Sequence, residues 1–401
     1  MMLCCAACSM STERWYKGNT HTHTWWSDGD APPEVAVKWY KEHGYNFLML
    51  SDHNILSEGE KWVTAEGKRV KGMSQYEKEF PNRPLAKREK GGKTEYRLTT
   101  LNELRSMFEE PGKFLLVQGE EISDGYQKHP IHVNGFNLKE VVPPQRGTSV
   151  TETMQRDIDA VLAQRKATGV PMFPHVNHPN FGWGVTAEDM APLRGEQFFE
   201  VFNGHRGVRN HGDETHISVE RIWDVVLTKR LGELNLPVMY AMATDDAHDH
   251  VEFPATANPG RGWVMVQAAR LTPEDLIAAM EKGRFYPSTG VTLKSVTFKN
   301  NTLGIEIDGK PGVTYKTQFI GTPRDYDRKV ATRPAGDHVV CDYSPAVGKV
   351  LAEATGTKVS YKLTGNELYV RATITSSELH PNPFAKDDFE KAWTQPVTPA
   401  K

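Results

Sequence analysis

Gly18-Asn19-Thr20-His21-Thr22-His23-Thr24-Trp25-Trp26-Ser27-Asp28-Gly29 is the stretch on which the reading of this chain turns. It follows a short β-type run, Trp15-Tyr16, and residues 14–24 read as a first strand. Positions i and i+2 of a strand project to the same side, so the imidazoles of His21 and His23 face one point. Imidazole is the commonest metal-ligating side chain, and Asp28, in a Ser-Asp-Gly turn, can add a carboxylate. Two histidines alone make no site, so the question passes to what the rest of the chain supplies.

Downstream, Pro32-Pro33 opens a helix whose apolar face is Val35, Ala36, Trp39 and Tyr40, with Gly44 closing it. Phe47-Leu48-Met49-Leu50 is a fully apolar strand that runs into Ser51-Asp52-His53-Asn54. Strand, helix and strand at this spacing form a βαβ unit and predict a parallel sheet. Residues 57–112 are rich in Lys, Arg and Glu and read as an insertion with its own helices. Strand patterns resume at Phe114–Val117, leading to Gly119-Glu120-Glu121-Ile122, and at Ile131-His132-Val133. Residues 151–168 read as a helix, and Asn177-His178-Pro179 follows the next apolar run. Phe198–Phe202 is a strand entering Asn203-Gly204-His205-Arg206. After a helix over 215–230, Val238–Met242 ends at Asp245-Asp246-Ala247-His248. Beyond Gly290 the texture changes to short alternating segments between Gly/Asn turns, the pattern of a small β-sandwich. The expected organisation is therefore a leader or tail over 1–13, an α/β unit over 14–290 and a β-sandwich with a C-terminal tail over 291–401.

Several of these strands end in polar groups. In α/β barrels functional side chains gather at strand C-termini, so His21, His23, His53, Glu121, His132, His178, Asp246 and His248 are expected to meet in one pocket. Thirteen of the fifteen histidines precede residue 251, which assigns the chemistry to the first unit. So many ligands exceed one tetrahedral site and suit two or three ions.

The ordered set His21-Thr22-His23, Ser27-Asp28-Gly29, Ser51-Asp52-His53, Gly119-Glu120-Glu121-Ile122, Asn177-His178-Pro179 and Asp246-Ala247-His248 resembles the motifs of the PHP (polymerase and histidinol phosphatase) superfamily over about residues 15–290. Motif spacing and the C-terminal sandwich look most similar to the CehA/McbA-type branch. The resemblance implies a distorted (β/α)7 barrel and a centre of two or three divalent ions (Zn, Mn or Fe). By position it implies that His21, His23, Glu121 and Asp246 hold the first ion. Glu121 would bridge to a second, shared with His132 and His178. The third matches His53 and His248, with Asp28 where some members carry a histidine.

The implied activity is hydrolysis by hydroxide formed from metal-bound water, acting on a small phosphomonoester or phosphodiester. A carboxylic ester or carbamate hydrolase on the same centre is the alternative, and a non-catalytic cell-surface protein binding metal or glycan is the reading from another class. His205 and His248 are candidate proton donors to the leaving group. Arg206, Arg261 and His175 are candidate substrate contacts; the arginines are otherwise salt-bridging residues, and His175 and His205 are otherwise supporting histidines. Glu120 and Asp245 are expected to orient ligands or bond backbone groups. At most one of the adjacent Trp25 and Trp26 should line the site.

Composition narrows the rest. The chain has 401 residues, is 38% hydrophobic and 25% charged, and carries a net charge of −3, which gives no sign of a nucleic-acid surface. Four cysteines, three of them within the first eight residues, make no disulfide framework. Met1–Ser9, with Cys8 behind two alanines, resembles the end of a bacterial lipoprotein signal. An exported periplasmic or outer-membrane lipoprotein, attached only through an N-terminal lipid, is the expectation. A cytoplasmic protein with a loose tail is the alternative. The partner expected is a small-molecule ester, not nucleic acid.

Overall fold

The computed structural model describes residues 13–195, 197–335 and 338–400. The lipoprotein-like stretch over 1–9 lies outside them. The chain is mixed α/β, built on one large sheet. Its first strand, β1 (Arg14–Asn19), pairs in parallel with β2 (Phe47–Leu50) across α1 (Pro33–Glu42). All four residues of β2 are buried, as a strand covered on both faces requires. Gly18 has to be glycine: a Cβ there would stand 2.1 Å from the Phe47 ring.

The insertion is β3 (Trp62–Thr64), α2 (Arg69–Glu79), β4 (Lys87–Lys90), β5 (Lys93–Arg97) and α3 (Leu101–Phe108). Besides the expected helices it holds a three-stranded antiparallel sheet, β3-β5-β4. Gly91 and Gly92, with φ of 58° and 73°, make the two-residue turn between β4 and β5. Helix α2 lies close against the loop after β1. At Gly72 a Cβ would meet the Asp30 carbonyl oxygen at 2.0 Å, and Met73 and Tyr76 pack in one core with Trp25 and Trp26.

The remaining elements of the first unit are β6 (Leu115–Tyr126), β7 (His129–Phe136), α4 (Val150–Thr168), β8 (Phe173–Val176), α5 (Ala187–Met190), β9 (Phe198–Asn203), α6 (Val219–Gly232), β10 (Tyr240–Thr244), β11 (Trp263–Ala268), α7 (Pro273–Met280) and β12 (Phe285–Ser288). The sheet runs β10-β9-β8-β7-β6-β2-β1-β11-β12 and continues into the C-terminal strands. Here two expectations change. The pairs β6–β7 and β7–β8 are antiparallel, so His132 is not at the C-terminal end of a parallel strand. It lies near the start of a reversed one, and the reversal delivers it to the same rim. The first strand is also shorter than 14–24: it ends at Asn19, and His21 and His23 follow it in extended chain. That chain is held by a parallel bridge of Thr22 to Ala247, just past β10, so the two ends of the seven-strand run meet at the rim.

The C-terminal part comprises β13 (Leu293–Lys299), β14 (Thr302–Ile307), β15 (Tyr315–Pro323), β16 (Val330–Ala335), β17 (His338–Tyr343), β18 (Lys349–Thr355), β19 (Lys358–Lys362), β20 (Glu367–Leu379) and β21 (Phe389–Trp393). Strands β13-β14-β19 form one sheet. Leu303, Ile305 and Val359 from it share a core with Phe319, Val370 and Ile374. Those last three belong to strands of the large sheet, so the second layer is the main sheet running on past β12. Asp224 of α6 and Arg371 of β20 form a buried bidentate pair at 2.8 and 2.7 Å. Gln395 bonds both backbone groups of Ala241 in β10. These ties fix the C-terminal part to the first unit.

One buried acid makes stability depend on pH. Asp157 of α4 is fully buried and accepts one hydrogen bond, from the Gln145 N–H at 3.0 Å. Burial pushes its pKa up to about 7. A pKa raised by folding contributes stability that is full below the ordinary value near 4 and lost as pH rises through 7. Asp157→Asn is therefore expected to gain about 1–2 kcal/mol over the parent at pH 8.5 in urea unfolding, and close to nothing at pH 4.

Candidate metal centre

Four side chains converge where the strands end. His21 Nε2 lies 3.4 Å from Glu121 Oε1 and 3.2 Å from Asp246 Oδ1. His23 Nε2 lies 3.3 Å from Glu121 Oε2 and 3.2 Å from the same Asp246 oxygen. His21 Nε2, His23 Nε2, Glu121 Oε2 and Asp246 Oδ1 are all buried without a hydrogen bond. Such orphaned atoms are costly unless something fills the gap. Ligands about 2.0–2.2 Å from one ion stand roughly 3.0–3.5 Å from each other, which matches these separations. The donor set, imidazole nitrogens with carboxylate oxygens, suits a divalent cation.

Two further groups adjoin the first. His132 Nδ1 and His178 Nε2 approach Glu121 Oε1 at 2.8 and 3.1 Å. Asp28 Oδ1 lies 3.2 Å from His248 Nε2 and 3.5 Å from His53 Nε2, with His23 also in the group. Glu121 is the hub, because the ring nitrogens of five histidines (21, 23, 53, 132 and 178) lie within 3.4 Å of its carboxylate. Burial alone would raise its pKa; the surrounding histidines, His132 foremost, hold it well below the carboxylate range. Burial likewise opposes charge on His21, yet Asp246, Glu200 and Glu121 raise its pKa well above the usual value. The carboxylates likewise raise His23, His53 and His178 against burial, whereas burial prevails at His132 and lowers it. Two of the clustered residues, His178 and Asp246, have φ of 20° and 49°, a backbone region that costs a non-glycine residue about 1–3 kcal/mol and recurs at functional sites.

Outside the ligands, hydrogen bonds fix the imidazole tautomers. The His21 Nδ1–H donates to Glu200 Oε1 at 2.7 Å, which turns the Nε2 lone pair toward the cluster. His248 Nδ1 lies 2.9 Å from the Asp246 carbonyl oxygen, an acceptor that places the proton on Nδ1 and leaves Nε2 for Asp28's group. His248 Nε2 thus faces the Asp28 group, the orientation a ligand would need. Glu200 itself is absent from the residues singled out in the sequence. It is buried in β9 and also accepts from the His178 N–H, Thr244 Oγ1 and Asn203 Nδ2 at 2.8–2.9 Å. Burial works against its charge, but His21 brings its pKa down to about 2. A lone carboxylate within Phe198-Phe199-Glu200-Val201-Phe202 was the available signal, since a buried charge needs partners. Asp245 accepts from the N–H groups of Gly260, Arg261 and Gly262, and Glu120 from that of Val142.

Three candidate substrate contacts are placed elsewhere. Arg261 is fully buried, and all five of its N–H donors go to oxygens of Gly204, Ala255, Thr256, Asn258 and Asn382. It has no donor left for a phosphate and acts as a loop staple. Arg206 is exposed and donates to the Pro383 carbonyl. His175 is fully buried, and burial lowers its pKa to about 4, so it is a neutral core histidine. Trp25 and Trp26 are both core, their indole N–H groups bonded to the carbonyls of Asp30 and Thr99. His205 does reach the site. It lines an open cavity of about 360 Å³ with Asp28, His53, Glu121, His132, His178, Asp246 and His248. The remaining wall is Lys68, Phe181, Asp249, Thr256 and Ala257.

No family model and no curated protein matches the chain. Among solved structures it is similar to a two-domain protein of Bacteroides vulgatus ATCC 8482 with an inferred PHP-like metal-dependent phosphoesterase. The identity is 15% over 96% of this chain and 95% of that one, with a TM-score of 0.42. It is also similar to an inferred metal-dependent phosphoesterase of Bifidobacterium adolescentis ATCC 15703, at 11% identity over 60% of this chain and 92% of that one, TM-score 0.30. Likeness at this level leaves the chemistry to the site's own geometry.

Proposed function

We propose that the chain is a PHP-type metal-dependent phosphoesterase, with the curved sheet as a distorted (β/α)7 barrel and the C-terminal strands as its β-sandwich. The observation that carries this reading is the convergence of four buried, unbonded ligand atoms from His21, His23, Glu121 and Asp246 beside an open cavity that Glu121 and Asp246 line. His132 and His178 would share Glu121 to hold a second ion, and Asp28, His53 and His248 a third. Divalent ions bound there supply Lewis acidity and lower the pKa of coordinated water.

The chain's own residues supply the remainder. His205 Nδ1 accepts the Gly207 N–H at 3.0 Å, so the neutral ring carries its proton on Nε2, the nitrogen left for the cavity. Burial lowers the pKa of His205, which favours that neutral form. This N–H can donate a hydrogen bond to the leaving-group oxygen, and the proton that the alkoxide takes up comes from solvent. The wall, where only Phe181 and Ala257 are apolar, supports a phosphoester substrate. That lining suits a phosphoryl group better than an apolar acyl group. The withdrawal of Arg206 and Arg261 favours the second reading, hydrolysis of a neutral carboxylic ester or carbamate.

The test is a screen of the metal-reconstituted full chain against p-nitrophenyl phosphate, bis-p-nitrophenyl phosphate and p-nitrophenyl acetate. His21→Ala is run in parallel, with metal content measured for both. Phosphoester turnover that His21→Ala lowers at least a hundredfold, together with lost metal, is the expected result. Acetate turnover alone would move the assignment to ester hydrolysis. No turnover at full metal loading would leave a binding protein.

A further inference from the structure

We propose that Lys68, contributed by the charged insertion, is the residue that recognises the anionic group of the substrate. This rests on the phosphoesterase reading and names its specificity contact. Lys68 is the one lysine or arginine on the wall of the cavity that holds the ligand cluster. Its side chain caps nothing at the start of α2. The cations around it are committed: Lys61 to the Trp26 carbonyl, Arg69 to the Ser27 carbonyl and Lys71 to Glu252 at 2.7 Å. Lys68 forms no ion pair with the described residues, so its ammonium is left for a ligand.

The insertion holds this residue in place. Gly72 lets α2 lie against the Asp30 carbonyl, and Met73 and Tyr76 join the core of Trp25 and Trp26. That core carries the loop bearing His23 and Asp28. The exposed Lys71–Glu252 pair links α2 to the loop that supplies Asp249, Thr256 and Ala257 to the same cavity wall. Helix α2 is thus tied to the loops of both Asp28 and Asp249, and Lys68, exposed at its start, lines the cavity with the ligand cluster. From that wall the flexible Lys68 side chain can reach a phosphoryl oxygen directed away from the ligands, and a charge-assisted hydrogen bond there discriminates an anionic ester from a neutral one.

The test compares the metal-loaded parent with Lys68→Gln, Lys68→Arg and, on the exposed end of α2, Lys78→Gln. Inorganic phosphate binding is read by titration calorimetry, and metal content is measured in each protein. The expected result is phosphate affinity lowered about tenfold in Lys68→Gln, within about threefold of the parent in Lys68→Arg and unchanged in Lys78→Gln, all at full metal content. kcat/KM for p-nitrophenyl phosphate should fall in parallel, and that for p-nitrophenyl acetate should stay level. Parental phosphate affinity in Lys68→Gln overturns the proposal, as does a parent that binds no phosphate. A Lys68-dependent phosphate affinity in a protein that hydrolyses none of these esters supports the anion contact while the hydrolase reading fails.

Discussion

Glu121→Gln is expected to release bound metal and to lower phosphoester hydrolysis by about a thousandfold or more. The substitution keeps the side chain's shape and removes its charge. Glu121 Oε1 faces His21, His132 and His178, and Oε2 faces His23 and His53. In both the first and second ligand groups this carboxylate is the shared member. A carboxamide has one weak acceptor and, on its other side, two N–H donors that repel a cation. Where a carboxylate bridges two ions, the amide can serve neither well. Metal analysis after dialysis and kcat/KM on p-nitrophenyl phosphate are the measurements. Parental metal content with activity within tenfold would remove Glu121 from the centre. The carboxamide also takes a buried negative charge from among five imidazoles. Glu121 helps raise the pKa values of His21, His23, His53 and His178, so the metal-free variant should lose less stability than the metal-free parent as pH rises above the ordinary histidine range, a comparison urea unfolding can make.

The sequence was most legible where chemistry and strand ends coincide. His21 and His23, then His53, Glu121, His178 and Asp246, each follow an apolar run within a few residues, and the parallel pairing of β1, β2 and β6 and of β8, β9 and β10 aligns them at one rim. His132 was legible as a ligand candidate but not in its direction. The β6–β7 hairpin turns on Gln127, whose φ of 53° is set by tertiary context and not by a glycine that would announce it. The insertion's hairpin did announce itself, through Gly91-Gly92 between two polar strands. Arg261 and Lys68 show the opposite failures. A guanidinium after a strand end looks available for substrate, yet this one is drawn inward by carbonyls that only the folded loops bring together. A lysine in a charged run looks solvated, and Lys68 is exposed, yet Gly72 packs its helix against the Asp30 loop and Lys68 also lines the ligand cavity. Neither outcome is a property of local pattern; each follows from which backbone oxygens or cavities the fold puts nearby.

Glu200 is the residue whose removal should separate architecture from ligation. Its two oxygens accept from His21 Nδ1, Thr244 Oγ1, the His178 N–H and Asn203 Nδ2. Glu200→Ala leaves those four donors buried without acceptors, at a cost of about 3–5 kcal/mol to the metal-free fold. It also frees His21 to rotate or to carry its proton on Nε2, which turns a lone pair away from the metal. Loss of such a carboxylate–histidine contact typically weakens metal affinity about 10- to 100-fold. Glu200→Gln divides the two effects. The amide oxygen can still accept from one pair of donors, so most of the stability should return in urea unfolding. The charge that polarises His21 is gone, so metal affinity should stay depressed by about tenfold in a chelator competition. Asn203 gives the pair a further check, because its amide donates to both Glu200 at 2.8 Å and Asp246 at 3.2 Å. If Glu200 acts through ligand orientation, Asn203→Ala should weaken metal binding in the parent and add little in the Glu200→Ala background, since both changes release the same side of the site. Full additivity of the two would instead assign Glu200 to the stability of β9 alone.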